Sequence, residues 1–504
     1  MAVFNFVWTS TYQDSVTLMR LTRDLEGVSG VTRAAVMMGT PQNRALLDDA
    51  GLLTTVGKAA TPTDLIIAVI ADDEAAARAA EHAARATLTS RPVDGRRGHS
   101  PRPRSLPSAL RALPGANLAL ISVPGLYAAA EARRALHAGL HVLLFSDNVP
   151  IEQEVELKRL ARELGLLLMG PDCGTALVNG VPLGFANAVP RGRIGIAAAS
   201  GTGAQEVMSL IAQCGEGISH VIGVGGRDLS DAVGGLAMEQ ALAALAADAA
   251  TSVICVIGKP PSVSVSRRLE SQIARSGKPC AVHFVGLAPG VDRPTVGRGG
   301  APTANLEDCA RAAVALARGE KHHLVTFTVA DEEVARLTSD ARRGRGPEQR
   351  FVRGVYSGGT LAWEARFILA GGLTGVASGV IGTGEGHRVV DLGEDIFTVG
   401  RPHPMIDGAV RREWIAREAA DPTVAVLLLD VVLGYGAHAD PAGEVLLAIE
   451  NARRRGIAVV ASVTGTDADH QNRSIQVSRL RSAGVVVMPS NAQAARLAAK
   501  ILAC

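Results

Sequence analysis

The sequence predicts an α/β protein, a small α+β domain followed by doubly wound units, and three observations carry that expectation. Apolar strand-like runs alternate with helical patterns from Leu118 to the C-terminus. The composition is 47% hydrophobic with 55 Gly but only 3% aromatic, which suits a parallel sheet between helices better than a sandwich or barrel. Two look-alike turns, Ser200-Gly201-Thr202-Gly203-Ala204-Gln205-Glu206 and Gly358-Gly359-Thr360-Leu361-Ala362-Trp363-Glu364, each follow a strand-like run and open a helical pattern. In both, Thr and Glu stand four residues apart, on one helix face.

Residues 1–90 read as the small domain, with strands near Ala2–Thr9, Thr32–Met38 and Leu65–Ile70 and helices over Ser15–Leu25 and Asp72–Leu88. That order is compatible with a ferredoxin-like or similar split fold. Residues 91–115 begin in Arg, Pro, Gly and Ser and read as a linker. Residues 116–190 form a partial Rossmann-like domain, with strands over Leu118–Val123, His141–Phe145 and Leu166–Met169. Helices fill Ala128–Ala138 and Ile151–Leu164 between them.

Residues 191–341 give a doubly wound domain with strands over Ile194–Ala198, His220–Val224, Val253–Ile257 and Cys280–Phe284. After an Arg/Gly-rich connector, residues 351–504 repeat that outline. The strands there lie near Arg353–Tyr356, Arg388–Leu392, Val424–Leu429, Ala458–Ala461 and Val485–Met488.

A net charge of +2 gives no electrostatic case for nucleic acid or an anionic membrane. The six cysteines (Cys173, Cys214, Cys255, Cys280, Cys309, Cys504) lack CxxC spacing and read as reduced, mostly buried thiols. The N-terminus has no signal-peptide pattern and no stretch approaches a membrane span, so a cytoplasmic protein is expected.

A glycine-eased helix N-terminus offers free N–H groups and partial positive charge to an anion. Such turns also occur without a ligand, but their repetition here favours binding. The candidate phosphate-binding residues are Ser200, Gly201, Thr202 and Gly203, and Ser357, Gly358, Gly359 and Thr360, with Glu206 and Glu364 anchoring the turns.

Met169-Gly170-Pro171-Asp172-Cys173-Gly174, Arg193-Ile194-Gly195-Ile196 and Gly223-Val224-Gly225-Gly226, with the first turn, resemble the α subunit of succinyl-CoA synthetase and other NDP-forming acyl-CoA synthetases. A closer resemblance over nearly the whole chain is to the FdrA family. It is carried by Tyr12-Gln13-Asp14-Ser15-Val16, Met37-Met38-Gly39-Thr40-Pro41, Gly400-Arg401-Pro402-His403-Pro404-Met405-Ile406-Asp407 and Val463-Thr464-Gly465-Thr466. The resemblance implies a CoA-binding-type domain at 116–190 and flavodoxin-like CoA-ligase domains at 191–341 and 351–504. It also implies that the two turns face one anion, as helix N-termini of the synthetase subunits face a phosphohistidine. Each terminus would contribute up to about 2 kcal/mol when sheltered, so two together would change affinity roughly a thousandfold.

Three departures limit what is carried over. Leu287 to Asn305, where the synthetases carry the phosphorylated histidine, contains none, and His283 falls within a strand. Residues 1–90 stand where the synthetases have the Gly-rich turn that grips CoA, so CoA is expected to bind weakly or not at all. No GxxxxGK[ST] loop or recognisable ATP-grasp domain is present, so this chain alone is not expected to activate a carboxylate with ATP.

His403, held between Pro402 and Pro404, and Arg401, suited to bidentate pairing with a carboxylate or phosphate, join Glu206 and Glu364 as catalytic candidates. A solvated loop histidine is the alternative. Cys173, at a strand end without a neighbouring histidine, reads as structural sooner than nucleophilic. The Gly382–His387 loop precedes a strand and reads as a mobile connection rather than a phosphate cradle. Arg227 and Asp228 occupy the comparable place in the first repeat, or form a surface pair. Asp467, Asp469 and His470 have metal-type side chains but no further spaced ligand, so a surface loop and no metal are expected.

The FdrA resemblance implies a subunit of an acyl- or carbamoyl-transferring enzyme. In concrete form this is carbamoyl transfer between phosphate and a small amide such as oxamate, in purine (allantoin) nitrogen catabolism. Carbamoyl phosphate or phosphate would be substrate, no cofactor is required in this chain, and other subunits of the same complex are the partners. An NDP-forming acyl-CoA synthetase with an ATP-grasp partner and a non-catalytic scaffold subunit are the alternatives.

Overall fold

The computed structural model describes residues 2–11, 13, 15–89, 103–286, 301–378, 386–398 and 402–503. Residues 1–103, with 398–402, make one unit, and residues 104–397 with 403–504 another. In the first, β1 (Ala2–Trp8), β2 (Val31–Met38) and β3 (Leu65–Ala71) pair antiparallel in the order β1-β3-β2. Alternate residues of β3 serve two cores, as a period of two requires. Leu65, Ile67 and Val69 pack on Leu21, Leu25 and Ala80 of two helices, while Ile66 and Ala68 meet Leu47 and Leu52.

The second unit opens with a small parallel sheet of β4 (Leu118–Ile121), β5 (His141–Leu144) and β6 (Leu168–Met169). Alanines 128, 132 and 135 let the Gly125–His137 helix lie close on it. A hairpin of β7 (Thr175–Val178) and β8 (Val181–Gly184) follows. Then come β9 (Arg191–Ala198), β10 (Ile218–Gly223), β11 (Val253–Gly258), β12 (Cys280–Phe284) and β13 (Ala301–Pro302).

The seven-stranded sheet has the order β13-β12-β11-β9-β10-β7-β8. Without the hairpin, its parallel strands follow the 2-1-3-4-5 order of a flavodoxin-like sheet. The hairpin adds antiparallel to β10 through Leu177 opposite Val221, so residues 175–184 extend this sheet instead of closing the preceding domain. Leu177 and Ala176 face separate cores, which is what ties the hairpin there.

The last sheet repeats the plan with β14 (Phe351–Tyr356), β15 (Val376–Ser378), β16 (His387–Asp391), β17 (Val424–Val432), β18 (Ala458–Thr464) and β19 (Val486–Met488). Its order is β15-β16-β14-β17-β18-β19, again 2-1-3-4-5 with β15 added at the edge. β11 and β17 are buried throughout, as continuous apolar runs in a parallel sheet demand.

The two flavodoxin-like domains share one core. Val207 and Ile211 of the Gly201–Gln213 helix, Ala310 and Ala313 of Leu306–Arg318, Leu361 and Ala365 of Gly359–Ala370, and Ala494 and Ala498 of Asn491–Leu502 belong to the same buried cluster. The small side chains allow four helices to approach closely. No helix among the described residues is long and apolar enough to cross a membrane.

Candidate functional site

β9 runs into the Gly201–Gln213 helix through Ser200, whose Oγ accepts the Gly203 N–H at 3.0 Å as an N-cap. β14 runs into the Gly359–Ala370 helix through Gly358, which has no side chain to cap it. The two turns meet. Ser200 Oγ and Thr360 Oγ1 are 2.5 Å apart, and a Cβ added to Gly358 would stand 3.1 Å from the Thr202 side chain. Glycine at 358 therefore eases the close approach of the two turns. Among the described residues, the N–H groups of Gly201, Thr202, Gly359 and Thr360 meet no acceptor.

The second turn is already partly filled. Asp430 of β17 accepts the Ser357 N–H through Oδ1 and the Gly358 N–H through Oδ2, both at 2.8 Å, and Ser357 Oγ donates to Oδ2 at 3.0 Å. Arg411 balances that carboxylate at 3.2 Å. Buried N–H groups need an acceptor, and here one comes from the adjacent strand. The two turns are thus unequal: each keeps two open N–H groups, but Ser357 and Gly358 already hold an internal carboxylate, whereas among the described residues none occupies the first turn.

Glu206 and Glu364 do not anchor their own turns. Glu206 Oε1 accepts the Asn491 N–H at 3.0 Å, and Thr464 Oγ1 donates to Oε2. Glu364 Oε1 accepts the Leu306 N–H at 2.7 Å, and Asn491 Nδ2 donates to Oε2 at 2.7 Å. Leu306 is the first residue of the helix that follows β13 in the first flavodoxin-like domain, and Asn491 that of the last helix of the second. Each carboxylate therefore sits at the N-terminus of the other domain's helix, where the dipole favours it. Burial pushes both carboxyls up, Glu364 to about 7. At 3% exposure each, they hold the domains together; the catalytic role expected for them is replaced by this one, because a position one turn inside the helix faces the domain seam.

His403 Nδ1 accepts the Met405 N–H at 3.2 Å, which assigns the ring proton to Nε2. A Cβ on Gly393 would stand 2.9 Å from His403 Nε2 and 3.1 Å from both Asp391 Oδ1 and Ser357 O, so the histidine lies beside the second turn. Its ring packs on Phe185 at 5.8 Å, and burial lowers its pKa to about 4. It is a neutral N–H donor, not a base at neutral pH. Arg401 lies outside the described residues.

Sequence reasoning missed Asp391, which ends β16. Its Oδ1 accepts the Gly393 N–H at 2.8 Å, and Oδ2 would lie 2.4 Å from a Cβ on Gly359. Burial raises this carboxyl to about 7. An acid closing the apolar run Val389-Val390 at a parallel strand's C-terminal end was the available signal.

The other candidates are structural. Cys173 is buried, with its thiol pushed up to about 12 by desolvation. Asp228 is neither a ligand group nor half of a surface pair: it is buried at 2.8 Å from Lys158 Nζ, which also donates to Glu154 at 2.7 Å. Asp228 further accepts the Ala237 and Met238 N–H groups. Asp469 holds Asn187, Ala188 and Thr466, and Asp467 holds Ser474. No cluster suited to a metal ion occurs among the described residues. His283 is buried in β12, 3.3 Å from Thr303 O. His387 opens β16, and the preceding Gly382–Glu385 lie outside the described residues, as do residues 287–300.

Residues 1–103 match the family model "AllF, heavy metal-associated domain", residues 191–286 match "CoA binding domain", and residues 355–501 match "CoA-ligase". YahF of Escherichia coli K12, described as an uncharacterized protein, is 38% identical over 522 residues, covering 100% of this chain and 99% of its own. The chain belongs to the FdrA family. This FdrA protein is also 34% identical over 149 residues to the α-2 subunit of mitochondrial ADP-forming succinate–CoA ligase from Trichomonas vaginalis, 29% of this chain and 47% of the relative. The ADP-forming sulfoacetate-CoA ligase subunit SauD of Bilophila wadsworthia is 25% identical over 193 residues, 37% of this chain and 64% of its own. The FdrA chain thus carries domains of the CoA-ligase superfamily.

The metal implied by one of those family names can be tested against the residues. None of the six cysteines falls in residues 1–103, so this FdrA domain lacks the thiolates of a soft-metal site. The turn after β4 holds a single glycine, Gly125, and a Cβ there would meet the Asp147 and Asn148 carbonyl oxygens at 2.3 and 2.6 Å. Those contacts account for the glycine at 125 by close packing against the 147–148 backbone.

Proposed function

We propose that this FdrA-family protein is a subunit of a carbamoyl-transferring enzyme that works on carbamoyl phosphate and a small amide such as oxamate in purine (allantoin) nitrogen catabolism. The observation that carries the reading is the meeting of the Ser200 and Thr360 turns, where open N–H groups of two helix N-termini converge. The AllF-type N-terminal match and the full-length FdrA relationship support the pathway.

The Gly201 and Thr202 N–H groups would bind phosphoryl oxygens, and the Ser200 and Thr360 hydroxyls would exchange their mutual contact for the ligand, with the Thr202 hydroxyl as a further donor. His403 Nε2–H would donate to the carbamoyl oxygen. The amide nitrogen attacks the carbamoyl carbon, the bond from that carbon to the phosphate oxygen breaks, and the amide proton passes to the departing phosphate. Asp391, poised near neutrality, would relay that proton, giving its own to the phosphate oxygen as it leaves and taking up the amide proton in its place. Because Asp430 already engages the second turn, the first helix supplies most of the field, up to about 2 kcal/mol.

Relatives named as ligase subunits favour a second reading, an acyl-CoA synthetase with a separate nucleotide-binding partner. CoA would then bind tightly and a phosphohistidine would form. Copurification of the complex, a carbamoyl phosphate transfer assay and labelling with radioactive ATP separate the two. Transfer without CoA and without acid-labile label is expected; stoichiometric label on His283 or His403 would sink the carbamoyl reading.

A further inference from the structure

Buried arginines of this chain are matched to carboxylates. Arg353 pairs with Glu418 and Asp421 at 3.0 Å, Arg388 with Glu418 at 2.6 Å and Arg411 with Asp430 at 3.2 Å. Arg473, half-buried, has no such carboxylate partner among the described residues. Its Nε donates to Val463 O at 3.1 Å, and no carboxylate closes on the rest of its guanidinium fork among the described residues. Desolvation lowers its pKa, the mark of a cation short of counter-charge. The two carboxylates whose field reaches it are committed elsewhere, Glu206 to Asn491 and Thr464, and Asp467 to Ser474. Arg481 stands eight residues further along the same Arg473–Ser482 helix, and its charge repels that of Arg473.

Both arginines line a groove of about 690 Å³. Val487, Met488 and Pro489 add apolar surface to it, and Gln213, from the end of the Gly201–Gln213 helix, adds an amide. We infer that this groove binds an organic phosphate, its phosphoryl group held between Arg473 and Arg481 and its body on the Val487–Pro489 wall. Two guanidiniums can clasp a phosphoryl dianion, and the groove is large enough for a nucleotide-sized body. Because Gln213 belongs to one flavodoxin-like domain and Arg473 to the other, the ligand touches both. The site is independent of the turns at Ser200 and Thr360.

Calorimetry on the full-length chain with AMP, inorganic phosphate and succinate tests it, with no turnover needed. AMP should bind, more tightly than inorganic phosphate, and its affinity should fall about tenfold or more in Arg481→Glu and in Arg473→Lys, which keeps charge but loses the fork. Gly201→Val should leave AMP affinity unchanged, which separates this site from the proposed catalytic turn. Absence of AMP binding at millimolar concentration, equal AMP affinity in Arg481→Glu, equal affinity for phosphate and AMP in the Gly201→Val chain, or binding of succinate alone would each overturn the assignment.

Discussion

Ser200 Oγ and Thr360 Oγ1 lie 2.5 Å apart although 160 residues separate them in sequence. The contact arises because two sheets of the same strand order pair through one shared helical core, which sets the two first helices tip to tip. Two positive helix ends do not attract one another. The arrangement is held by the reciprocal Glu206 and Glu364 caps and is stabilised further by any anion that enters between the tips.

Gly201→Val should weaken phosphate binding about tenfold with little loss of fold, because a side chain there crowds the ligand's approach to the backbone. A Cβ at 201 stands 3.3 Å from Thr175 Oγ1, whereas one at 359 would press within 2.4 Å of Asp391 Oδ2. Gly359→Val should therefore also displace Asp391 and alter pH dependence. Calorimetry of phosphate binding decides, and unchanged affinity in both variants would count against the site.

Asp430→Ala removes the internal anion of the second turn and leaves Arg411 buried without its partner. Such a loss costs about 3–5 kcal/mol. Phosphate should restore part of it by occupying the freed Ser357 and Gly358 N–H groups, raising the melting temperature of the variant more than that of the wild type. Equal shifts in both proteins would show that the second turn cannot accept an external anion.

Glu364, raised by burial from 4.5 to about 7, binds a proton in the folded state that the unfolded chain has lost. Its contribution to stability therefore falls as pH rises from about 4.5 to about 7 and is flat above that. Glu206 is raised in the same direction. Glu364→Gln should gain stability relative to wild type as pH goes from about 5 to about 8 in urea denaturation. A relative loss over that range would contradict the assignment.

The transfer rate of the assembled complex should fall above about pH 7 as Asp391 ionises, with no limb between pH 5 and 7 from His403, which stays neutral there because burial lowers it to about 4. Asp391→Asn should abolish the alkaline limb. His403→Ala should lower the rate by about a hundredfold, the scale of a lost oxyanion donor, without moving the profile. A titration near 6.5 that disappears in His403→Ala would instead make the imidazole a general base.

The sequence by itself determined the α/β class, the positions of most of the strands, the two glycine-eased turns and the family strings. Each of these is local: short β-branched apolar runs bounded by turn residues, such as Val253-Ile254-Cys255-Val256-Ile257, suit buried strands, and a turn of Gly and small hydroxyl residues after such a run opens a helix. Tertiary structure alone decided that the β7–β8 hairpin belongs to the following sheet, that Asp430 fills one turn and not the other, and that Glu206 and Glu364 cap helices of opposite domains. It also decided that His403 carries its proton on Nε2 beside Asp391. The physical reason is that packing brings together residues that no spacing along the chain relates: apolar side chains such as Leu177 and Ala176 join whichever core reaches them, and a buried polar group takes whichever partner comes within about 3 Å.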